Sequence, residues 1–333
     1  MTRYFALVAA VALARPAVAG FTITPHFDSS ITTASNAAQV ESAINDAIDA
    51  IESLYTNNGN VSIVFTQASG SFLGSSNTAD YGVTYSSYVS TLATVSANER
   101  TNSILATAIA NLSSGNKPGA GGSVQVTSAD ARVALGQSGF SGCFNSSGTF
   151  VNTCGQAYDG VITISSSFTF NYTPTPVFGE YSAISTMEHE IDEIMGGGGQ
   201  GSVLNNIADG DTSSDNDVGV LDLYRYSAPG VKSFSTSSGA NAYFSVDGGV
   251  TDIVGFNQNS GGDFADFNTC NNVQSAFSCS NTSPTFYNVS SPEYAMMESI
   301  GYNGVPEPAS LLLLGSGLAG LRAARRRGAS KIR

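Results

Sequence analysis

The sequence predicts an α+β fold: a central mixed sheet, one polar-faced helix near the middle of the chain, and a loop-rich C-terminal part. Three observations point to it. The first half alternates runs of period two with runs of period 3.6, the signatures of half-buried strands and amphipathic helices. The run from Ile184 to Gly196 carries an apolar stripe opposite a face of carboxylates and one histidine. Beyond Gly196 helical periodicity fades, and turns rich in Gly, Ser and Asn dominate until Pro292.

Taken in order, Phe21 to Phe27 alternates apolar and polar residues and reads as a strand. Asn36 to Tyr55 places Val40, Ile44, Ala47, Ile48 and Ile51 on one helical stripe, and Val61 to Gln67 is a strand with Val61, Ile63 and Phe65 on one face. Tyr85 to Thr94 and Ala97 to Leu112 read as helices, the second capped by Ser96. Asn116 to Gly122 is a Gly/Pro loop, Ser123 to Thr127 a short strand, Ser128 to Leu135 a short helix and Gly136 to Gln156 a turn-rich excursion. Gly160 to Ser166 is a strand, and two prolines then precede the polar-faced helix. Asp209 to Asp222 is an acidic loop and Leu221 to Tyr226 a short apolar segment. Ala242 to Val246 and Val250 to Phe256 flank Asp247-Gly248-Gly249 as a hairpin, and Pro292 to Ile300 is a final helix stopped by Gly301.

The two ends have their own character. Met1 to Ala19 has a basic start, an apolar middle and Ala17-Val18-Ala19 before Gly20, the layout of a secretory signal. Val305-Pro306-Glu307-Pro308 leads into the uncharged run Ala309 to Leu321 and then Arg322, Arg325, Arg326 and Arg327. That run spans only about 20 Å as a helix, against roughly 30 Å of bilayer hydrocarbon. This tail resembles the PEP-CTERM signal of exported bacterial proteins. The resemblance implies cutting by an exosortase-type membrane enzyme, a bacterial surface or extracellular location, and only transient membrane contact through the tail. The expected organisation is a leader at 1–19, one catalytic-sized domain at 20–304 and a sorting tail at 305–333.

Of the 13 basic residues, two lie in the leader and six in the tail, leaving Arg100, Lys117, Arg132, Arg225 and Lys232 in the body against 25 of the 26 acids. A body of net charge −20 repels nucleic acid and anionic lipid and favours cations. The four cysteines fall into two local couples, Cys143 with Cys154 and Cys270 with Cys279. In an exported chain these read as short-loop disulfides of roughly 2–3 kcal/mol each. A four-thiolate zinc site is the rival reading, without the usual C-x-x-C spacing.

The chemistry concentrates in Met187-Glu188-His189-Glu190-Ile191-Asp192-Glu193-Ile194-Met195-Gly196. His189 and Glu193, four residues apart, share one helical face and can reach one metal ion. Glu190 is rotated about 100° from His189, as suits a base acting on water beside that ion. The pattern is H-E-x-x-E-x-x-G, the H-E-x-x-H-x-x-G-x-x-H pattern of metzincins with glutamate for the second histidine and Gly199 in place of the third. The rival is a solvated acidic face on an ordinary amphipathic helix.

Three further blocks accompany the helix: Leu221 to Gly230, Tyr243 to Phe267 and Ser291 to Tyr302. Together they resemble a family of PEP-CTERM-bearing predicted zinc metalloproteases of zincin type. The resemblance implies a zincin-like domain with Zn2+ as cofactor, a polypeptide substrate, His189 as ligand and Glu190 as catalytic base. Glu193 stands where fuller motifs have histidine, and Asp266 becomes the third ligand, with Asp263 and Asp222 behind it. All three aspartates also suit turns in Gly-rich loops. Tyr224 or Tyr226 is a candidate oxyanion donor or a packed aromatic pair. Asp209, Asp211, Asp215 and Asp217 suggest a Ca2+ loop but lack the glycine and glutamate of an EF-hand. His26 has no acidic cluster around it and reads as structural. The alternative function is a non-catalytic matrix or surface protein derived from a protease. A glycosidase using paired carboxylates has no testable spacing in its favour.

Overall fold

The computed structural model describes residues 20–98, 102–112, 122–140, 142–151, 157–211, 217–280 and 288–305. The leader, the tail from residue 306, Cys154, Asp215 and most of the 116–122 loop lie outside the described residues.

Strand β1 (Phe21–Phe27) buries Phe21 and Ile23 while Thr22 and Thr24 face solvent, as its alternation requires. A single turn, α1 (Ser29–Thr32), is capped by the Asp28 carboxylate, which accepts from Ser30 N at 2.8 Å. It leads to α2 (Ala37–Glu52), whose stripe Val40, Ala43, Ile44, Ala47, Ile48 and Ile51 is buried throughout. Each buried valine or isoleucine of the stripe contributes about 1.5–3 kcal/mol by leaving water. Helix α2 crosses back so that β2 (Gly59–Ala68) runs parallel to β1, with Phe21 opposite Gly59 and Phe27 opposite Phe65. Val61, Ile63 and Phe65 are buried as expected, and Val64 is buried on the other face, the mark of an interior strand.

Two strands lie outside the sequence reading: β3 (Gly74–Thr78) and β4 (Asp80–Thr84). Strand β3 has no apolar face and forms because β6 offers a ladder, whereas β4 is a five-residue strand whose Tyr81 and Val83 alternate with Asp80, Gly82 and Thr84. Helix α3 (Tyr85–Asn98) runs through Ser96, which is therefore not a cap. The next helix, α4 (Ser103–Asn111), is capped by Asn102, whose Oδ1 accepts from Leu105 N at 2.7 Å. Asn102 wins because its Nδ2 also donates to Glu298 O and Tyr302 O, bonds that Ser96 could not make.

Strand β5 (Ser123–Thr127) pairs antiparallel with β4, and the chain then turns through a π-helical stretch, Asp130–Ala134. Strand β6 (Gly160–Ser165) lies parallel to β2 and antiparallel to β3. The central sheet is thus mixed, in the order β1-β2-β6-β3, with β3 at its edge. A short parallel pair, β7 (Phe170–Asn171) and β8 (Tyr181–Ser182), delivers the chain to α5 (Ala183–Ile194), which packs beside α2 and against β3 and β6.

After α5 come α6 (Leu204–Ala208) and β9 (Val218–Gly219), the latter completing a second sheet in the order β4-β5-β9. A third sheet has the order β11-β10-β12-β13, from β10 (Arg225–Ala228), β11 (Val231–Lys232), β12 (Tyr243–Phe244) and β13 (Val254–Gly255). The expected hairpin is present, with Phe244 opposite Val254. The last helix, α7 (Pro292–Ser299), is capped by Ser291 and followed by Gly301 at φ 114°. Cys270 and Cys279 form a disulfide with Cα atoms 5.5 Å apart, and Cys143 is also disulfide-bonded. The four-thiolate zinc reading therefore falls. No helix among the described residues is long and apolar enough to cross a membrane.

Candidate metal centre

Helix α5 is built to present one face. Ser182 caps it, its Oγ accepting from Ser185 N at 3.1 Å, and Ile184, Met187, Ile191, Ile194 and Met195 fill the core beneath it. Gly196, at φ 98°, ends it in a conformation that side chains rarely adopt. The opposite face is not solvated: Glu188, Glu190, Asp192 and Glu193 are all at most 5% exposed. The ordinary amphipathic reading of this helix is therefore corrected. Glu190 and Glu193 are covered by β3 and by the 259–275 loops, whereas Glu188 and Asp192 lie away from the cleft, with Glu293 of α7 near Asp192.

That covering loop is clamped from below. Asn257 Nδ2 donates to the carbonyls of Asn259, Gly262 and Asp263, and Asn257 N donates to Asp266 O. The buried Arg225 donates to Phe264 O at 2.5 Å and sits 4.7 Å from the Phe256 ring centre. Burial lowers its guanidinium to about 10, and the nearby Asp222 works in the opposite direction. The Gly196–Gly199 turn lets this loop approach. A Cβ on Gly198 would meet Gln274 Nε2 at 2.0 Å, and one on Gly199 would meet Asp263 Cγ at 2.6 Å.

The result is a cleft of about 640 Å³ containing His189, Glu190, Glu193, Asp263 and Asp266 on its walls, with Phe72, Phe168, Tyr181 and Phe277 at its sides. His189 Nδ1 lies 3.1 Å from Val273 O, which assigns the proton to Nδ1 and leaves the Nε2 lone pair facing the cleft. Nε2 is 3.6 Å from Glu193 Oε1 and 3.6 Å from Asp266 Oδ2. Gln274 Nε2 lies 3.3 Å from the same nitrogen, and a lone pair between two carboxylates is a ready position for a cation, either a proton or a metal ion. Two ligands on one tetrahedral zinc, with bonds of about 2.0–2.1 Å, stand roughly 3.3–3.4 Å apart. Both His189–carboxylate distances come within a few tenths of an ångström of that spacing.

Each donor is also held from behind, as metal ligands usually are. Glu193 Oε2 accepts from Ser76 Oγ at 2.5 Å and Oε1 from Gly199 N at 3.0 Å. Asp266 Oδ1 accepts from Gln274 Nε2 at 2.9 Å, and Asp263 Oδ1 from Asn205 Nδ2 at 2.5 Å. Glu190 Oε2 has no hydrogen-bond partner, and β3 passes it at Gly74, where a Cβ would meet Glu190 Oε1 at 2.4 Å.

The electrostatics follow from this crowding. Burial opposes charge on His189, but Asp266, Glu193 and Glu190 together hold the ring well above the usual imidazole range. Burial and then Glu193 push Glu190 well above the carboxylate range, against the pull of His189. Burial likewise raises Asp266, and Asp263 rises to about 6. Glu193 goes the other way: burial would raise it, but His189, Ser76 and Gly199 N together bring it below its ordinary value.

The remaining sequence candidates lie elsewhere. Asp222 is not in the cleft: its carboxylate accepts from Ser202 Oγ, Val203 N and Gly219 N, fixing a turn. Tyr224 is buried and donates to Ser299 O, and neither it nor Tyr226 lines the cleft, so neither is an oxyanion donor. Asp217 accepts from Ser123 and Gln125 and so pins β5, while Asp215 of the suggested Ca2+ loop lies outside the described residues. His26 packs against Tyr158, rings 5.3 Å apart. Gln274, Ser76 and Val273, absent from the sequence reading, enter through long-range contacts that leave no local signal, and Gly199 enters through its backbone N–H rather than as a ligand position.

Comparison with known proteins bears on the end of the chain. Residues 304–327 match the PEP-CTERM protein-sorting motif. The chain therefore carries a bacterial surface-sorting signal, which implies export and processing by an exosortase. No curated protein and no solved structure matches the chain.

Proposed function

We propose that the protein is an exported, zinc-dependent metallohydrolase of zincin type acting on polypeptides. The observation that carries this reading is His189 Nε2 lying 3.6 Å from both Glu193 Oε1 and Asp266 Oδ2, with the buried, unpartnered Oε2 of Glu190 in the same cleft. His189, Glu193 and Asp266 would hold the ion, and a bound zinc supplies Lewis acidity toward a carbonyl and toward water. Glu190 takes the proton of the attacking water and passes it to the departing amine nitrogen as the C–N bond breaks. Its raised proton affinity suits a group that must both accept and release a proton. The open edge of β3 and the aromatic side chains of the cleft give an extended chain both backbone partners and apolar contacts.

One observation favours a rival: the donor set is a single imidazole among carboxylates, harder than most zinc sites. In that reading the chain is a non-catalytic surface protein that keeps its ion. Metal analysis and a casein-type digestion assay separate the two. His189→Ala should lose zinc, whereas Glu190→Gln should keep it and lose at least 100-fold in cleavage rate. Zinc retained with no cleavage by the unmodified protein would leave the surface-protein reading standing. Folded protein that takes no zinc would end the enzyme reading.

A further inference from the structure

The cleft holds two donor clusters that share one residue. His189, Glu190 and Glu193 form one, and Glu193, Asp263 and Asp266 form the other, with ligand atoms in each lying within 4.8 Å of one another. Four carboxylates thus converge with one imidazole, and among the described residues no lysine or arginine lines the cleft. Three of the four carboxylate residues, Glu190, Glu193 and Asp266, are at least 95% buried. With all four carboxylates ionised and His189 neutral, one divalent ion would leave this centre at −2, and unneutralised buried charge is costly. Two would bring it to zero.

Independent details favour the larger count. Glu190 Oε2 is buried without any partner, in the same cleft as the second cluster. Gln274 Oε1, on the fully buried side chain that holds Asp266, is likewise unpartnered. Gly199 is bare where the two acids meet: an added Cβ would lie 2.6 Å from Asp263 Cγ and 2.7 Å from Glu193 Oε1. The backbone has been cleared to let two like charges approach. An ionised carboxylate has about four lone-pair positions. Ser76 Oγ and Gly199 N take one on each oxygen of Glu193, leaving one on each for an ion.

We propose that the centre takes two divalent cations bridged by Glu193, the second held by Asp263 and by Asp266, which then serves both ions. Its all-oxygen donor set selects a hard ion of the calcium, magnesium or manganese class, beside the imidazole-bound position. Two such ions typically stand about 3.5–4 Å apart and can clamp one substrate oxygen between them. The proposal rests on the reading of His189 and Glu193 as ligands.

Manganese is the probe, because it reports both number and proximity. The purified full chain, stripped with chelator and dialysed against Mn2+, should bind two ions per chain and show a low-temperature EPR spectrum of an exchange-coupled pair. Asp263→Asn should bind one ion and give an uncoupled spectrum, with unchanged far-UV circular dichroism. Saturation at one ion in the unmodified chain would overturn the second site and leave the single-ion reading intact. Two ions without coupling, or two in Asp263→Asn, would overturn the bridged arrangement. No bound manganese and no bound zinc would overturn both readings. Should Asp263→Asn fail to fold, the stoichiometry and spectrum of the unmodified chain decide alone.

Discussion

Replacing Gln274 by leucine isolates the contribution of one hydrogen bond to the metal centre. Gln274 is fully buried, and its Nε2 donates to Asp266 Oδ1 at 2.9 Å while lying 3.3 Å from His189 Nε2. Its backbone is anchored separately, Gln274 N donating to Glu293 Oε1 at 2.9 Å, so the substitution leaves the main chain and the Val273 carbonyl in place. Leucine nearly matches the volume but removes the donor. Asp266 Oδ1 is then a buried carboxylate oxygen without its partner, and Oδ2 is no longer aimed at the ion. Loss of an outer hydrogen bond of this kind costs about 10–100-fold in metal affinity, or about 1.4–2.7 kcal/mol. Calorimetric titration of Zn2+ into chelator-stripped protein measures it directly. The thermal midpoint of the stripped protein should change little, because the metal-free centre loses a bond but also sheds a polar group from a crowded acidic site. Wild-type zinc affinity in folded Gln274→Leu protein would show that Asp266 is not a ligand, and the centre would have to be rebuilt around Asp263.

Three other outcomes follow from the same geometry. Gly199→Ala places a methyl 2.6–2.7 Å from the Asp263 and Glu193 carboxylates, so at least a tenfold loss of zinc affinity is expected with the fold retained; unchanged affinity would refute the close approach of those acids. Asn102→Ala removes a helix cap and two bonds to the segment ending α7, costing about 1–3 kcal/mol in chemical denaturation, and a loss below about 0.5 kcal/mol would count against this role. Metal-free protein should lose stability as pH rises from about 5 to about 8. Burial first, with neighbouring acids, raises the folded-state proton affinity of Glu190, Asp266 and Asp192, and carboxylates raise that of His189 against burial. Groups so raised contribute stability below their unfolded values and lose it as pH climbs through their folded ones. Saturating zinc should reverse the trend, and melting curves at a series of pH values with chelator or zinc would expose an opposite slope.

Legibility in the sequence tracked how local each feature is. Strand β1, helix α2, strands β2, β5 and β6 and helix α7 follow from alternation, helical stripes and caps within a few residues of one another. Strand β3 does not: Gly74-Ser75-Ser76-Asn77-Thr78 has no apolar face and becomes a strand only because β6 pairs with it. The site divides in the same way. His189 and Glu193 meet because a helix places residues four apart on one face, whatever else the chain does. Asp263 and Asp222 look alike in sequence, each an aspartate in a turn-rich segment. Only the clamp of Arg225 and Asn257 sends the first toward the cleft, while three donors around Ser202 capture the second.

The acidic face of α5 shows why the surrounding fold, rather than the motif, decides the chemistry. On an exposed helix, Glu188, Glu190, Asp192 and Glu193 would stay hydrated and ionised, and His189 would titrate as an ordinary surface imidazole. Here the apolar stripe of α5 locks the helix against α2 and the sheet, so the opposite face cannot rotate away when β3 and the 259–275 loops close over it. The energy for burying four acids comes from that packing and from whatever cation compensates them. A proton on His189 and on the raised carboxyls provides the compensation at low pH, and divalent ions are the competitor that gains as pH rises. Under the proposed metal binding, the residues that make the metal-free centre unstable near neutrality are the same ones that would trap the cation.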